Sequence, residues 1–279
     1  MAKRKRMSST ENKIKKGYGE GQGIDYKPWI NIQDVPSLGR ATRLKGIKIP
    51  RQFEFLSDLE RNYFYLLEYS DKVIDIREQY PLLPLDDTLL IAKELGLNHP
   101  IDPKTKEPIV MTTDFLVTMH NGTANMHVAR TLKYKDELMT ERTLEKFEIE
   151  RVYWEKREID WGIVTEGEVS KVMATNIAFV HSYIRLNDIE GFDQLTSVEI
   201  DEMVVYFVQR LMAEDQSVKQ IARIYERDFG MPSGSGLALF KHLIITKTIK
   251  IDLLSKLNVE DIVQVKSIQQ DFSEKVRAL

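Results

Sequence analysis

Two charges stand where strands normally carry none. Asp114 opens the apolar run TDFLVTMH, and Lys133 closes a second run of strand type, NMHVARTLK. If segments 113–119 and 125–134 pair as a hairpin about His120, Asn121 and Gly122, both charges lie far from the turn, on adjacent strands near one end of the sheet. Asn-Gly is the strongest short hairpin signal. Thr131 and Lys133, two residues apart, share one face. A carboxylate and an ammonium so placed suit metal-dependent phosphodiester cleavage. Acidic oxygens hold Mg2+, the ion helps generate hydroxide and stabilises the charge growing on the phosphate, and a nearby lysine orients or deprotonates the water. That chemistry wants a further acid, and Glu60 on the preceding helical segment supplies it. Each residue also has a plainer role. Ser57-x-x-Glu60 is a capping box, Asp114 an exposed strand-end charge, and Lys133 a solvated edge lysine that discourages aggregation. The three together, on one order of elements, favour the chemistry.

That order must be built by local pattern. Segment 55–70 is helical, with Ser57 as N-cap and Leu59, Tyr63, Leu66 and Leu67 at helical spacing. In 73–82, Val73, Asp75 and Arg77 alternate with Ile74 and Ile76, as in a strand. Turn formers fill 81–108 around a short helix at DTLLIAKELG. After the two strands comes a charged helix, 140–158, which buries Leu144, Phe147 and Trp154 and leaves its charges as an exposed face of helical ion pairs. A short buried strand, 161–165, completes an α/β core of order αβββαβ with a mixed sheet.

The rest follows another pattern, which divides the chain into domains at 1–168 and 169–279. Segments 197–212, 217–230 and 233–249 are three amphipathic helices, with Ser217 as a cap and Gly230 as a stop, and KTIKIDL follows as a wing strand. Helix, helix, turn, helix, strand predicts an all-α, winged-helix-like domain, an architecture that reads DNA with its third helix. That helix offers only Lys241, His242 and Lys247, a thin set for phosphate contacts. The run to Leu279, with Phe272, Lys275 and Arg277, is expected to be a helical tail for a partner.

The 279 residues carry no cysteine, which removes disulfides, thiolate nucleophiles and zinc ribbons together. No stretch approaches the ~20 apolar residues of a membrane span, and the basic start MAKRKRMSST has no apolar segment behind it, so a cytoplasmic protein is expected. The net charge of −3 conceals an asymmetry: residues 1–51 hold thirteen Lys/Arg against four acids. A basic arm on an acidic body suggests a polyanionic partner such as DNA. Within the arm, Tyr26, Trp29 and Ile30 are expected to dock, and GYGEGQG to form a tight turn, since no strand precedes it to make a nucleotide fingerprint.

These residues carry a resemblance. The αβββαβ order with Glu60, Asp114 and T-L-K at 131–133 looks like the PD-(D/E)xK nuclease fold of restriction enzymes. More narrowly, GYGEGQGIDYKPWINIQDVPSLGR, FLSDLERNYFYLLEYSDKVIDIREQYPLLP, MTTDFLV and ERTLEKFEIERVYW resemble the TnsA family, the endonuclease subunits of heteromeric cut-and-paste transposases, over most of residues 17–165. The resemblance implies a Mg2+-dependent cut at the 5′ ends of a transposon, with Mn2+ able to substitute and two ions at the site. It implies a TnsB-like recombinase acting on the 3′ ends and a TnsC-like ATPase regulator, docked through 169–279. Glu60 and Asp114 match the family's metal-binding acids, Lys133 its active-site lysine, and Leu132 a backbone carbonyl ligand. Thr131 departs: the fold usually has Glu there and TnsA relatives can have Gln, so the neutral hydroxyl predicts one weak metal site. A free-standing restriction- or resolvase-like nuclease, or a catalytically weakened DNA-binding adaptor, remains an alternative.

Overall fold

The computed structural model describes residues 9–34 and 40–270. The basic run at 3–6 and the tail expected near Phe272, Lys275 and Arg277 lie outside the described residues. Two compact units divide the chain, Met1–Val169 and Ser170–Leu279.

The first unit begins with helix α1 (Ser9–Lys15) and, after an irregular segment, the antiparallel pair β1 (Thr42–Lys45) and β2 (Gln52–Phe55). There follow α2 (Asp58–Tyr69), β3 (Val73–Pro81), α3 (Leu85–Leu95), β4 (Thr112–His120), β5 (Asn125–Leu132), α4 (Glu141–Glu155) and β6 (Asp160–Val164). Setting α3 aside, α2 to β6 run in the order αβββαβ. The main sheet has the order β3-β4-β5-β6. Its first two pairings are antiparallel, whereas β5 and β6 are parallel because α4 carries the chain back between them.

Alternation along the strands divides the core. Phe115, Val117, Val128 and Leu132 face one way, onto Phe53 and Phe55 of β2 and Leu59, Phe64 and Leu67 of α2. Leu116 and Ala129 face the other way, onto Ile91 and Ala92 of α3 and Ile149, Tyr153 and Trp154 of α4. Each such large side chain contributes roughly 1.5–3 kcal/mol by leaving water. Two expected positions differ. Ile74 is 45% exposed, because a register irregularity between Val73 and Asp75 turns Val73 and Ile76 to the same core. Leu144 is 53% exposed, because the buried face of α4 begins later, at Ile149, and takes in Glu150.

β3 is an edge strand, and the N-terminal segment lies along it. Gly23 N–H donates to Asp75 Oδ1 (3.2 Å), Tyr26 Oη to the Glu78 carbonyl (3.0 Å) and Trp29 N–H to the Gln79 carbonyl (3.1 Å). Tyr26 and Trp29 are buried, and the glycine-rich stretch is a turn packed on the strand end. A side chain at Gly19 (φ 80°) would place its Cβ 2.2 Å from Pro81, so only glycine fits. An exposed edge is thereby covered.

The second unit has α5 (Lys171–His181), which the sequence pattern did not predict, then α6 (Ser197–Met212), α7 (Val218–Phe229), α8 (Ser235–Ile245) and the two-residue strands β7 (Ile249–Lys250) and β8 (Ser267–Ile268). Ser217 caps α7 in a capping box with Gln220, and Gly230 (φ 63°) ends it. Gly236 lets α8 press onto α7, since a Cβ there would lie 2.6 Å from the Ala222 Cα. Among the described residues, no helix is long and apolar enough to cross a membrane.

Candidate active site

Glu60 enters the site from the first turn of α2. Its N–H donates to Ser57 Oγ (3.1 Å), and its carboxylate accepts from Ser57 Oγ (2.8 Å) and Leu56 N–H (3.0 Å). Ser57 thus caps the helix, but the return bond to Glu60 comes from Leu56 N–H rather than from the cap residue, and it falls on Oε2, where Gln79 Nε2 lies 3.5 Å away. Glu60 is buried, and burial, reinforced by the charge of Asp114, pushes its carboxyl up to about 7.

Asp114 comes from β4. The β4–β5 ladder stops at Phe115 opposite Arg130, and just beyond it the Asp114 carboxylate takes the place of a ladder acceptor: Leu132 N–H donates to Oδ2 (2.6 Å). Oδ1 accepts from the same Gln79 Nε2 at 3.3 Å. Burial pushes the Asp114 carboxyl up to about 6, against the opposing pull of the Leu132 and Gln79 hydrogen bonds and of the Lys133 charge. The two acids thus share one amide donor, and the bonds they accept all come from neutral groups.

Lys133 follows β5. Its N–H donates to the Val164 carbonyl of β6 (3.0 Å), which fixes its backbone, while its ammonium is paired with Glu137 in the 3-10 turn Lys135–Met139. The lysine charge is felt at Asp114, but Nζ itself is held by Glu137.

Thr131 is turned away from the two acids. Its hydroxyl donates to Glu150 of α4 and accepts from Trp161 Nε1 (3.1 Å). Glu150 Oε1 also accepts from Thr113 Oγ1 (2.5 Å), which in turn accepts from Trp154 Nε1 (2.7 Å). Both capacities of the Thr131 hydroxyl are therefore used within a closed network beneath the sheet. Burial pushes the Glu150 carboxyl up to about 7, with the Thr113 and Thr131 hydrogen bonds opposing and the Asp114 charge adding to the rise.

Gln79 and Glu150 are the two residues that sequence reasoning missed. Glu150 had a signal: it stands three residues after Phe147 and four before Trp154, on the stripe expected to be buried. Gln79 had none, because the feature that places it is a backbone angle.

The donor set at Glu60, Asp114 and the Leu132 backbone is all oxygen, the kind that suits Mg2+ and Mn2+. Glu60 is buried and Asp114 half-buried, and the hydrogen bonds they accept come from neutral donors, so a divalent ion would supply charge that these bonds do not. Among the described residues no group of three or more His, Asp or Glu side chains gathers to hold a metal. Two acidic ligands, with water and substrate phosphate completing the shell, is the usual Mg2+ arrangement.

Against known families, the profile described as TnsA-like endonuclease N terminal matches residues 70–166, and that described as TnsA endonuclease C terminal matches residues 168–253. The chain belongs to the TnsA family. Among curated proteins, the transposon Tn7 transposition protein TnsA of Escherichia coli is 44% identical over 170 residues, covering 61% of this chain and 61% of the relative. The N-terminal TnsA match spans Gln79, Asp114, Thr131, Lys133 and Glu150, whereas Glu60 lies before its first residue.

Proposed function

We propose that this chain is the endonuclease subunit of a transposase, which cuts DNA at the 5′ ends of a transposon by metal-assisted phosphodiester hydrolysis. The observation that carries the proposal is the convergence of Glu60 and Asp114 on one buried spot in a chain of the TnsA family, with Lys133 beside it. Glu60, Asp114 and the Leu132 carbonyl would hold Mg2+ or Mn2+. A bound ion supplies the positive charge that acidifies water and stabilises the phosphate as its charge grows. The Lys133 ammonium, once released from Glu137, orients the attacking water or neutralises a non-bridging oxygen. The Glu150 network braces the strand ends that carry Asp114 and Lys133. Thr131 contributes to that brace, which turns its hydroxyl toward Glu150 rather than toward the two acids.

The partners proposed are DNA, a TnsB-like recombinase and a TnsC-like ATPase regulator. The second unit is read as winged-helix-like, and its α8 is poorly suited to a DNA groove. No α8 residue is exposed. Lys241 lies over the rings of Phe179 (4.0 Å) and Tyr183 (4.4 Å), and His242 Nδ1 bonds the Tyr183 carbonyl (2.8 Å). Lys241 and His242, two of the three residues expected to reach DNA, are committed to packing, which favours protein docking as the role of residues 169–279. The test is cleavage of transposon-end DNA in Mg2+, with and without the recombinase and ATPase. Cutting that needs no partner supports a free-standing nuclease, and no cutting under any condition supports the adaptor.

A further inference from the structure

The strangest backbone in the first unit lies in the middle of β3. Gln79 has φ 49°, a left-handed value, although it is not glycine. Its neighbours keep the regular register, Glu78 opposite Phe115 and Tyr80 opposite Thr113. Non-glycine residues seldom adopt such angles, and they persist where the surroundings over-determine them. Here the surroundings are identifiable. The Gln79 carbonyl accepts from Trp29 N–H (3.1 Å), and the adjacent Glu78 carbonyl from Tyr26 Oη (3.0 Å), so the N-terminal segment clamps the strand at both residues. On one side Glu78 is bonded to Arg51, and on the other the Tyr80 ring lies 5.8 Å from that of Trp154.

The side chain explains what the angle is for. It is buried, with Oε1 accepting from Thr112 Oγ1 (3.2 Å), which aims Nε2 at Asp114 Oδ1 (3.3 Å) and Glu60 Oε2 (3.5 Å). A primary amide has two N–H donors and no charge. It can therefore bridge two carboxylates that would otherwise repel each other, without cancelling the negative charge that attracts a cation. A lysine or arginine in its place would cancel that charge.

We infer that Gln79 is a positioning residue of the metal site: its carboxamide, fixed by a left-handed backbone under the N-terminal segment, holds Glu60 and Asp114 ready for a divalent cation. This rests on the proposed reading of the two acids as metal ligands. Partners of ligating carboxylates typically change metal affinity by about 10–100-fold.

The test uses the full chain and Mn2+ alone, without DNA, titrated by calorimetry and by the loss of free-ion paramagnetic resonance signal. Gln79→Gly relieves the backbone angle while removing the amide. It should stay folded when metal-free, yet bind Mn2+ about tenfold or more weaker. Gln79→Asn tolerates the angle but is one methylene short, and should weaken binding as well. Wild-type Mn2+ affinity in a folded Gln79→Gly would overturn the inference. Should that variant not fold, wild-type affinity in Gln79→Asn overturns it equally. Asp114→Ala separates the two levels. If it binds Mn2+ as the wild type does, or the wild type binds none, the metal reading fails and Gln79 with it. If only the Gln79 variants match the wild type, the metal reading stands and the Gln79 role falls.

Discussion

The first unit sets acids in two places, Glu78 on β3 and, around the neighbouring Gln79, Glu60 of α2 with Asp114 of β4, and treats them in opposite ways. Glu78 is met by Arg51, whose guanidinium bonds both carboxylate oxygens, lies 3.7 Å over the ring of Phe53 and also reaches the Ile76 carbonyl. Burial raises the Glu78 carboxyl, and Arg51 pulls it back down. At Glu60 burial raises the carboxyl too, but the next influence, the charge of Asp114, raises it further. The first pair is complete within the chain. The second, with Glu60 buried and Asp114 half-buried, has no such ion pair among the described residues, and a neutral amide stands between the acids. Buried charge without a partner is costly, and a fold tolerates it where something else is to supply the partner.

The difference is broken most sharply by removing one member on each side. Asp114→Asn should reduce Mg2+-dependent cleavage to background while metal-free stability stays the same or rises, since an unmatched charge disappears. Arg51→Met should do the reverse. It leaves Glu78 buried and alone, and should cost about 3–5 kcal/mol in denaturant unfolding, with any loss of cleavage following the loss of folded protein. Equal stability losses in both variants would mean that Asp114 is a structural acid like Glu78. Mg2+ or Mn2+ should raise the unfolding temperature of the wild type and of no Asp114 variant.

Glu60→Gln tests the same contrast at a residue with two roles. Gln keeps one oxygen to accept from Leu56 N–H, and its amide can donate to Ser57 Oγ, so the cap survives with a cost of no more than about 0.5–1 kcal/mol. Cleavage should collapse nevertheless, because the charge that draws the ion has gone. An active Glu60→Gln enzyme would leave Glu60 as a cap only.

How much of this was legible beforehand depends on which physical signal carried it. The order αβββαβ was legible because the periodicities of α2, β4 and β5 are clear and the Asn121-Gly122 turn marks the hairpin, whereas α4 showed itself by its helical ion pairs more than by an apolar stripe. Asp114 and Lys133 were legible because a charge at the end of an apolar run violates the local pattern. The β1–β2 pair was missed, being short, and so was α5, whose apolar residues run nearly all round it. At the site, the direction of Thr131 was misjudged, because its place in the T-L-K motif says nothing of a buried acid on α4 waiting for its hydroxyl. Gln79 was invisible because a left-handed residue inside a strand breaks the rule that period-two reasoning assumes.

Glu150 is another buried acid, intermediate between the two extremes: it is met by hydroxyl donors rather than by a cation. Its carboxyl is pushed up to about 7 from an ordinary 4.5, so the folded state holds the proton more tightly than the unfolded chain does. Its contribution to stability is therefore full below pH 4.5 and lost as pH rises through about 7. Gln at this position imitates the protonated acid, since its Oε1 can accept from both threonines. Glu150→Gln should match the wild type at or below pH 4.5, become progressively more stable than it up to about pH 7 and keep that margin above, in thermal unfolding without metal. A difference that does not change with pH would put Glu150 in its ordinary range.

The smallest effect concerns Lys133, whose charge is felt at Asp114. Lys133 and Glu137 form a pair at the surface, with side chains 34% and 52% exposed, four residues apart. Where Arg51 and Glu78 exclude water, this pair is screened by it, and exposed pairs of this spacing contribute about 0.3–0.5 kcal/mol. Freeing the ammonium for a phosphate or a water molecule should cost no more than that. Glu137→Gln should accordingly alter stability by less than about 0.5 kcal/mol and raise cleavage by no more than about twofold, the rate equivalent of that energy, with even this gain fading as salt is increased. A rise of tenfold or more in the absence of partner proteins would mean that the 3-10 turn holds Lys133 back more firmly than a solvated ion pair can. The contrast between a closed pair and an open site would then extend to the lysine, with Glu137 as the group a partner must displace.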